Sequence, residues 1–171
     1  MSAKSKSVTW QVVMGALVCV GVAAVLSTRT ARATPAFQFN TELLARSYFQ
    51  KLELESPRGA ALPVEVEIKR PADVYVVRNT VLAGGYSGWH THPGPSIVLV
   101  SAGTATVYDG DDPSCTPKTY PAGSGFVDSG NGHVHMVRNE GTTDLVTVAF
   151  QMVPATQSRR IDALNPGYCG F

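Results

Sequence analysis

Four histidines occur in this chain, and all of them fall in two H-x-H pairs. His90 and His92 lie in "GWHTHPGPS", and His133 and His135 lie in "NGHVHMVRN". On an extended strand, residues i and i+2 point to the same face, with Cα atoms roughly 6.6 Å apart. Two imidazoles so placed can lean toward one point and share a metal at about 2.1 Å from each nitrogen. A second pair on a neighbouring strand would supply a third ligand, or even a fourth. One such pair alone says little; two that use every histidine of the chain say more. The competing use is hydrogen bonding in a polar interior that holds no metal.

The elements that would have to position these side chains read as strands. "PVEVEIKR" from Pro63 alternates apolar and charged residues, and "DVYVVRNTVL" from Asp73 is rich in β-branched and aromatic types, with the glycines at 84–85 expected to end it. Further strands are expected from Ser96, Thr104, Gly125, Val134 and Asp144, separated by clusters of Gly, Pro, Asp and Asn. Many short strands with frequent turn signals predict an all-β sandwich or barrel. The stretch 40–56 is ambiguous. Asn40 or Thr41 could cap a helix, while Leu52 and Leu54 alternate with Glu53 and Glu55 as in a strand. The glycines from 123 to 132 are expected to shape a loop. No strand–glycine loop–helix pattern suggests phosphate binding.

The first thirty-odd residues read as a signal peptide spanning 1–33. Lys4 and Lys6 precede the apolar run "WQVVMGALVCVGVAAVL", and "ARA" at 31–33 offers small residues where a signal peptidase would cut before Thr34. The alternative is an uncleaved membrane anchor, since a span needs about 20 apolar residues. Cleavage removes four of the 14 basic residues and none of the 13 acids, turning a formal charge of +1 into a slightly acidic domain. An acidic domain without a basic stripe is a poor partner for nucleic acid. Contact with a membrane is expected only if the leader stays attached. Two cysteines remain, Cys115 in a turn-rich segment and Cys169 near the C-terminus. In an oxidising compartment an even count predicts a disulfide, worth about 4 kcal/mol for a loop of that length. Exported, periplasmic or extracellular residence is the expectation.

Spacing points to a family. Gly84, five residues, His90-Thr-His92, three residues, Ser96, six residues and Gly103 are similar to the first motif of the cupin superfamily, G-x5-H-x-H-x3-E-x6-G, with one residue changed. The second motif, G-x5-P-x-G-x2-H-x3-N, is matched in parts by Pro121-Ala-Gly123 and by His135 with Asn139. Eleven residues separate Gly123 from His135 where the family has two, and Cys115 stands where its leading glycine would fall. The resemblance covers roughly Ala72 to Pro154. It implies an antiparallel jelly-roll β-barrel, with strands at 34–71 packing on a barrel core at 72–154 and a tail at 155–171 covering one end.

Carried over residue by residue, the resemblance makes His90, His92 and His135 the ligands of a divalent metal ion, iron, zinc, manganese or nickel. The family's carboxylate is missing, because Ser96 stands in its place and a hydroxyl is a poor ligand beside imidazole. His133 does not fit the family spacing and is expected beside the site or at its mouth. It is nonetheless a candidate fourth ligand, and with Tyr108 a candidate acid or base. The expected partner is a small molecule, and homodimerisation is open, with no interface visible in the sequence. Three functions remain: a small-molecule metalloenzyme of dioxygenase, isomerase or lyase type, a non-catalytic metal- or ligand-binding barrel, and a structural module that leaves its site unused. Fold alone does not choose between them.

Overall fold

A computed structural model describes residues 33–171. The expected leader therefore lies, but for Ala33, outside the described residues. Among the described residues there is no helix. Twelve strands run in chain order: β1 Phe37–Phe49, β2 Leu52–Glu55, β3 Glu65–Ile68, β4 Ala72–Tyr86, β5 His90–Thr91, β6 Ser96–Ala102, β7 Thr104–Asp109, β8 Lys118–Pro121, β9 Gly125–Asp128, β10 His135–Arg138, β11 Leu145–Pro154 and β12 Ile161–Asp162.

All pairings between them are antiparallel, and apart from the β2–β3 pair they divide into two series. One runs β1-β4-β11-β6-β9 and the other β12-β5-β10-β7-β8. A single register pair, Arg138 with Tyr86, joins the two through β10 and β4. Backbone bonds from Gly84 N to Asn139 O, from Asn139 N to Gly85 O and from Ser87 N to Val137 O strengthen that corner. The two series face each other as a nearly closed jelly-roll barrel, because the buried group Val81, Val100, Ala105 and Leu145 draws side chains from both. Alternation does the sorting. Along β11, Leu145, Thr147, Ala149, Gln151 and Val153 are buried while the residues between them are not.

The ambiguous stretch 40–56 is strand: β1 pairs with β4 over its whole length, with a bulge between Leu43 and Ala45. The helix reading lost because cross-strand pairing satisfies the backbone of this segment and buries one side of Phe39 and Thr41. β2 and β3 form a separate hairpin with Leu52 opposite Ile68 and Leu54 opposite Val66. The glycines at 84–85 do not end β4, which continues to Tyr86. They bend it instead. Gly84 has φ 78°, and a Cβ on Gly85 would stand 2.9 Å from the carbonyl oxygens of Phe37, Gln38 and Leu82. At this bend β4 leaves one series to meet the other. Gly103 turns β6 into β7 with φ 71°.

The tail crosses the second series. β12 pairs with β5, with Asp162 opposite His90, and Ala163 N donates to Trp89 O. Cys169 then bonds Cys115 across a separation of 54 residues, with Cα atoms 5.4 Å apart. Cys169 packs against Trp89, Tyr108 and Met136 in a second buried cluster. Replacing both cysteines with serine is expected to lower the unfolding free energy by about 2–4 kcal/mol in chemical denaturation. An unchanged midpoint would show that the tail is held without the bridge.

Candidate metal centre

His90 opens β5 and His135 opens β10, and these two residues are register partners. His92 follows one residue after β5 and so keeps the side of the strand that His90 faces. The three rings converge, with centroids 4.4 Å apart for His90–His135, 4.9 Å for His90–His92 and 5.5 Å for His92–His135. One nitrogen from each lies within 4.8 Å of the others, and all three residues are buried. They border a cavity of about 60 Å³ between the two strand series, walled by apolar side chains that include Phe39, Val98 and Phe126.

Backbone carbonyls decide which nitrogens face that cavity. His90 Nδ1 is 2.9 Å from Gly88 O, and His92 Nδ1 is 2.5 Å from Arg159 O. A carbonyl can only accept, so each Nδ1 carries the proton and each Nε2 keeps its lone pair. Burial lowers the pKa of all three groups. The largest cause for His90 is desolvation, reinforced by the neighbouring His135 and Arg160, and its value falls well below the usual one. Desolvation likewise lowers His92, opposed by the Arg159 carbonyl and Asp128. His135 drops to about 4, again chiefly through burial and against the pull of Asp128. Three neutral imidazoles with free lone pairs are the form in which histidine binds a metal.

Ser96, where the family motif has glutamate, is buried on β6 between two register partners, Asp128 on β9 and Gln151 on β11. The carboxylate absent from Ser96 has a neighbour in Asp128. Its Oδ1 accepts from His133 Nδ1 at 2.9 Å and from Gly130 N at 3.2 Å, and lies 3.6 Å from His135 Nδ1. Asp128 Oδ2 and His135 Nδ1 are both buried without a hydrogen-bond partner. Both atoms lie at the site, and it is the other carboxylate oxygen, Oδ1, that the His135 Nδ1 approaches, close enough for a small shift of the ring to make a carboxylate–imidazole bond. The donor set therefore fits a divalent ion: three neutral imidazoles, with a carboxylate behind one of them.

His133 does not join the triad. It groups with Asp128 and His135 on one side and with Asp109 and Asp111 on the other, and its Nε2 is 3.4 Å from Asp109 Oδ1. Tyr108, a sequence candidate for acid or base, is not at the site at all. It pairs with Met136, whose neighbours His135 and Val137 face the cavity, so alternation turns Tyr108 to the opposite side. There it packs with Trp89 and Met136, and its hydroxyl donates to Glu140 Oε1 at 2.9 Å. Sequence reasoning missed Asp128, Gln151 and Arg159. Asp128 and Gln151 depend on cross-strand register with Ser96, and Arg159 depends on the path of the tail.

No protein-family model matches the chain, and no curated protein matches it. Solved structures with a similar fold include a protein with a double-stranded β-helix domain from Klebsiella pneumoniae, 22% identical, covering 53% of this chain and 74% of that one at a TM-score of 0.44. A cupin superfamily protein from Desulfitobacterium hafniense is 13% identical and covers 68% and 78%, with a TM-score of 0.45. The DMSP lyase of Ruegeria pomeroyi is 19% identical and covers 55% and 45%, also with a TM-score of 0.45. The barrel itself is defined by the two antiparallel strand series described above.

The lowered histidine pKa values give a pH dependence with a definite sign. A histidine whose folded value lies below the unfolded value of about 6.5 binds fewer protons when folded, so stability rises with pH through that window. Acidifying metal-free protein from pH 6.5 toward 4 is expected to lower its melting temperature, fully reversibly on return. A His135→Gln variant should show a shallower fall. A flat profile over that range would contradict the neutral, buried state.

Proposed function

We propose that this protein is an exported barrel that holds one divalent metal ion through His90, His92 and His135 and offers it to a small molecule in the adjoining cavity. The observation that carries the reading is the pair of carbonyl contacts, from Gly88 and Arg159, that leave the Nε2 lone pairs of His90 and His92 free beside His135. Export is supported by the disulfide between Cys115 and Cys169, a bond that persists in oxidising compartments.

When bound by three neutral ligands, such an ion keeps its full charge and serves as a Lewis acid for an oxygen of the bound molecule. The chain's own residues do the remaining work. Gly88 O and Arg159 O orient two rings. Asp128 stands behind the third, and His133 donates to Asp128 while its other nitrogen lies 3.4 Å from Asp109 Oδ1. Gln151, buried between Ser96 and His92 at 3.5 Å from each, lines the wall with an amide able to donate or accept.

Metal analysis by mass spectrometry on protein recovered from an exporting host tests the reading. The parent is expected to carry about one ion per chain, and its identity among iron, zinc, manganese and nickel selects the chemistry to screen. His92→Ala and His135→Ala should lose it, and Asp128→Asn should weaken affinity by roughly 10–100-fold, the usual effect of removing a carboxylate behind a histidine ligand. Parent protein that stays empty after soaking in all four metals would overturn the metal-binding reading and leave a metal-free ligand barrel.

A further inference from the structure

One charged group beside the histidines is left without a counter-charge. Arg159, delivered by the tail, is half-buried and lines the cavity. Its Nη1 donates to Gln151 Oε1 at 3.1 Å, and among the described residues it forms no ion pair. Arg160, next to it, is engaged differently: its Nε bonds Asp162 Oδ1 and its Nη2 bonds Ser87 O, both at 2.7 Å. A guanidinium carries five N–H donors in a fixed fork that matches a planar carboxylate. At Arg159 the protein uses one. Partial burial together with Arg160 pulls its pKa down.

The rest of the cavity narrows what would meet that fork. Among the described residues Asp128 is the only acid on its wall, and its Oδ1 accepts from His133 and Gly130. The volume, about 60 Å³, holds roughly four to six water-sized groups at about 10–15 Å³ each. Phe126, Val98 and Ala149 supply apolar wall, which suits a carbon skeleton. Inorganic phosphate shares the oxyanion chemistry and the size, but it would find one free guanidinium and a largely apolar surround.

We propose that the cavity binds a small organic carboxylate of about four to six non-hydrogen atoms, with the Arg159 guanidinium receiving the carboxylate and Gln151 holding the guanidinium in place. The placement of this anion beside an ion rests on the metal-binding reading; the anion site itself rests on Arg159.

Titration calorimetry on the mature chain, metal-loaded and metal-stripped, with sodium pyruvate and sodium phosphate as probes, tests the inference. Metal-loaded parent is expected to bind pyruvate and to prefer it to phosphate. Arg159→Gln should weaken pyruvate binding at least tenfold, the scale of a lost charge-assisted pair, with metal content measured alongside. Arg159→Lys should restore part of the loss, which a merely structural arginine would not allow. Metal-loaded parent and Arg159→Gln binding pyruvate equally, or phosphate bound in preference, would overturn the carboxylate site and leave the metal site standing. Protein that takes no metal yet binds pyruvate in an Arg159-dependent way would support the anion site while the metal reading fell.

Discussion

Burying an imidazole removes it from water, and three buried together must each find an acceptor or a cation for their polar atoms. That constraint organises this molecule. Gly88 O and Arg159 O satisfy the Nδ1 atoms of His90 and His92, which turns the opposite nitrogens inward. One of these carbonyls comes from the turn before β5 and the other from the tail. The site is therefore complete only when the tail lies across the barrel. The β12–β5 pairing, the Ala163–Trp89 bond and the Cys115–Cys169 disulfide all serve to keep it there.

The tail also explains why so short a segment carries so much of the site. Asp162 is in register with His90, and Arg159 and Arg160 just before β12 line the cavity. Arg159 contributes its carbonyl to His92 and its side chain to the cavity wall, and Arg160 ties the segment to Ser87 O. Ser87 in turn meets Val137, two residues beyond His135, twice: its backbone N donates to Val137 O, and its hydroxyl accepts from Val137 N. The two histidine-bearing strands and the tail thus share backbone partners.

Much of this was legible in the residues. A two-residue period assigned the strands, and it placed His90 and His92 on one face because alternation is a backbone property that needs no tertiary information. What the sequence left dark was everything set by pairing between strands. Asp128 stands beside Ser96 only because β9 and β6 meet in that register, and Gln151 only because β11 does. Tyr108 looked available as an acid or base until its pairing with Met136 turned it away from the cavity. The glycines at 84–85 resembled a stop signal, since glycine weakens strands, yet here they allow a close backbone crossing that carries β4 from one series to the other.

The central claim is that three imidazoles, with no protein carboxylate or thiolate among them, form the first coordination sphere of a divalent ion. X-ray absorption at the edge of the bound metal tests it most directly. The account predicts a scattering pattern with three imidazole rings at about 2.1 Å and single-atom oxygen donors filling the rest. Fewer than three rings, or a sphere unchanged by His90→Ala, would contradict it.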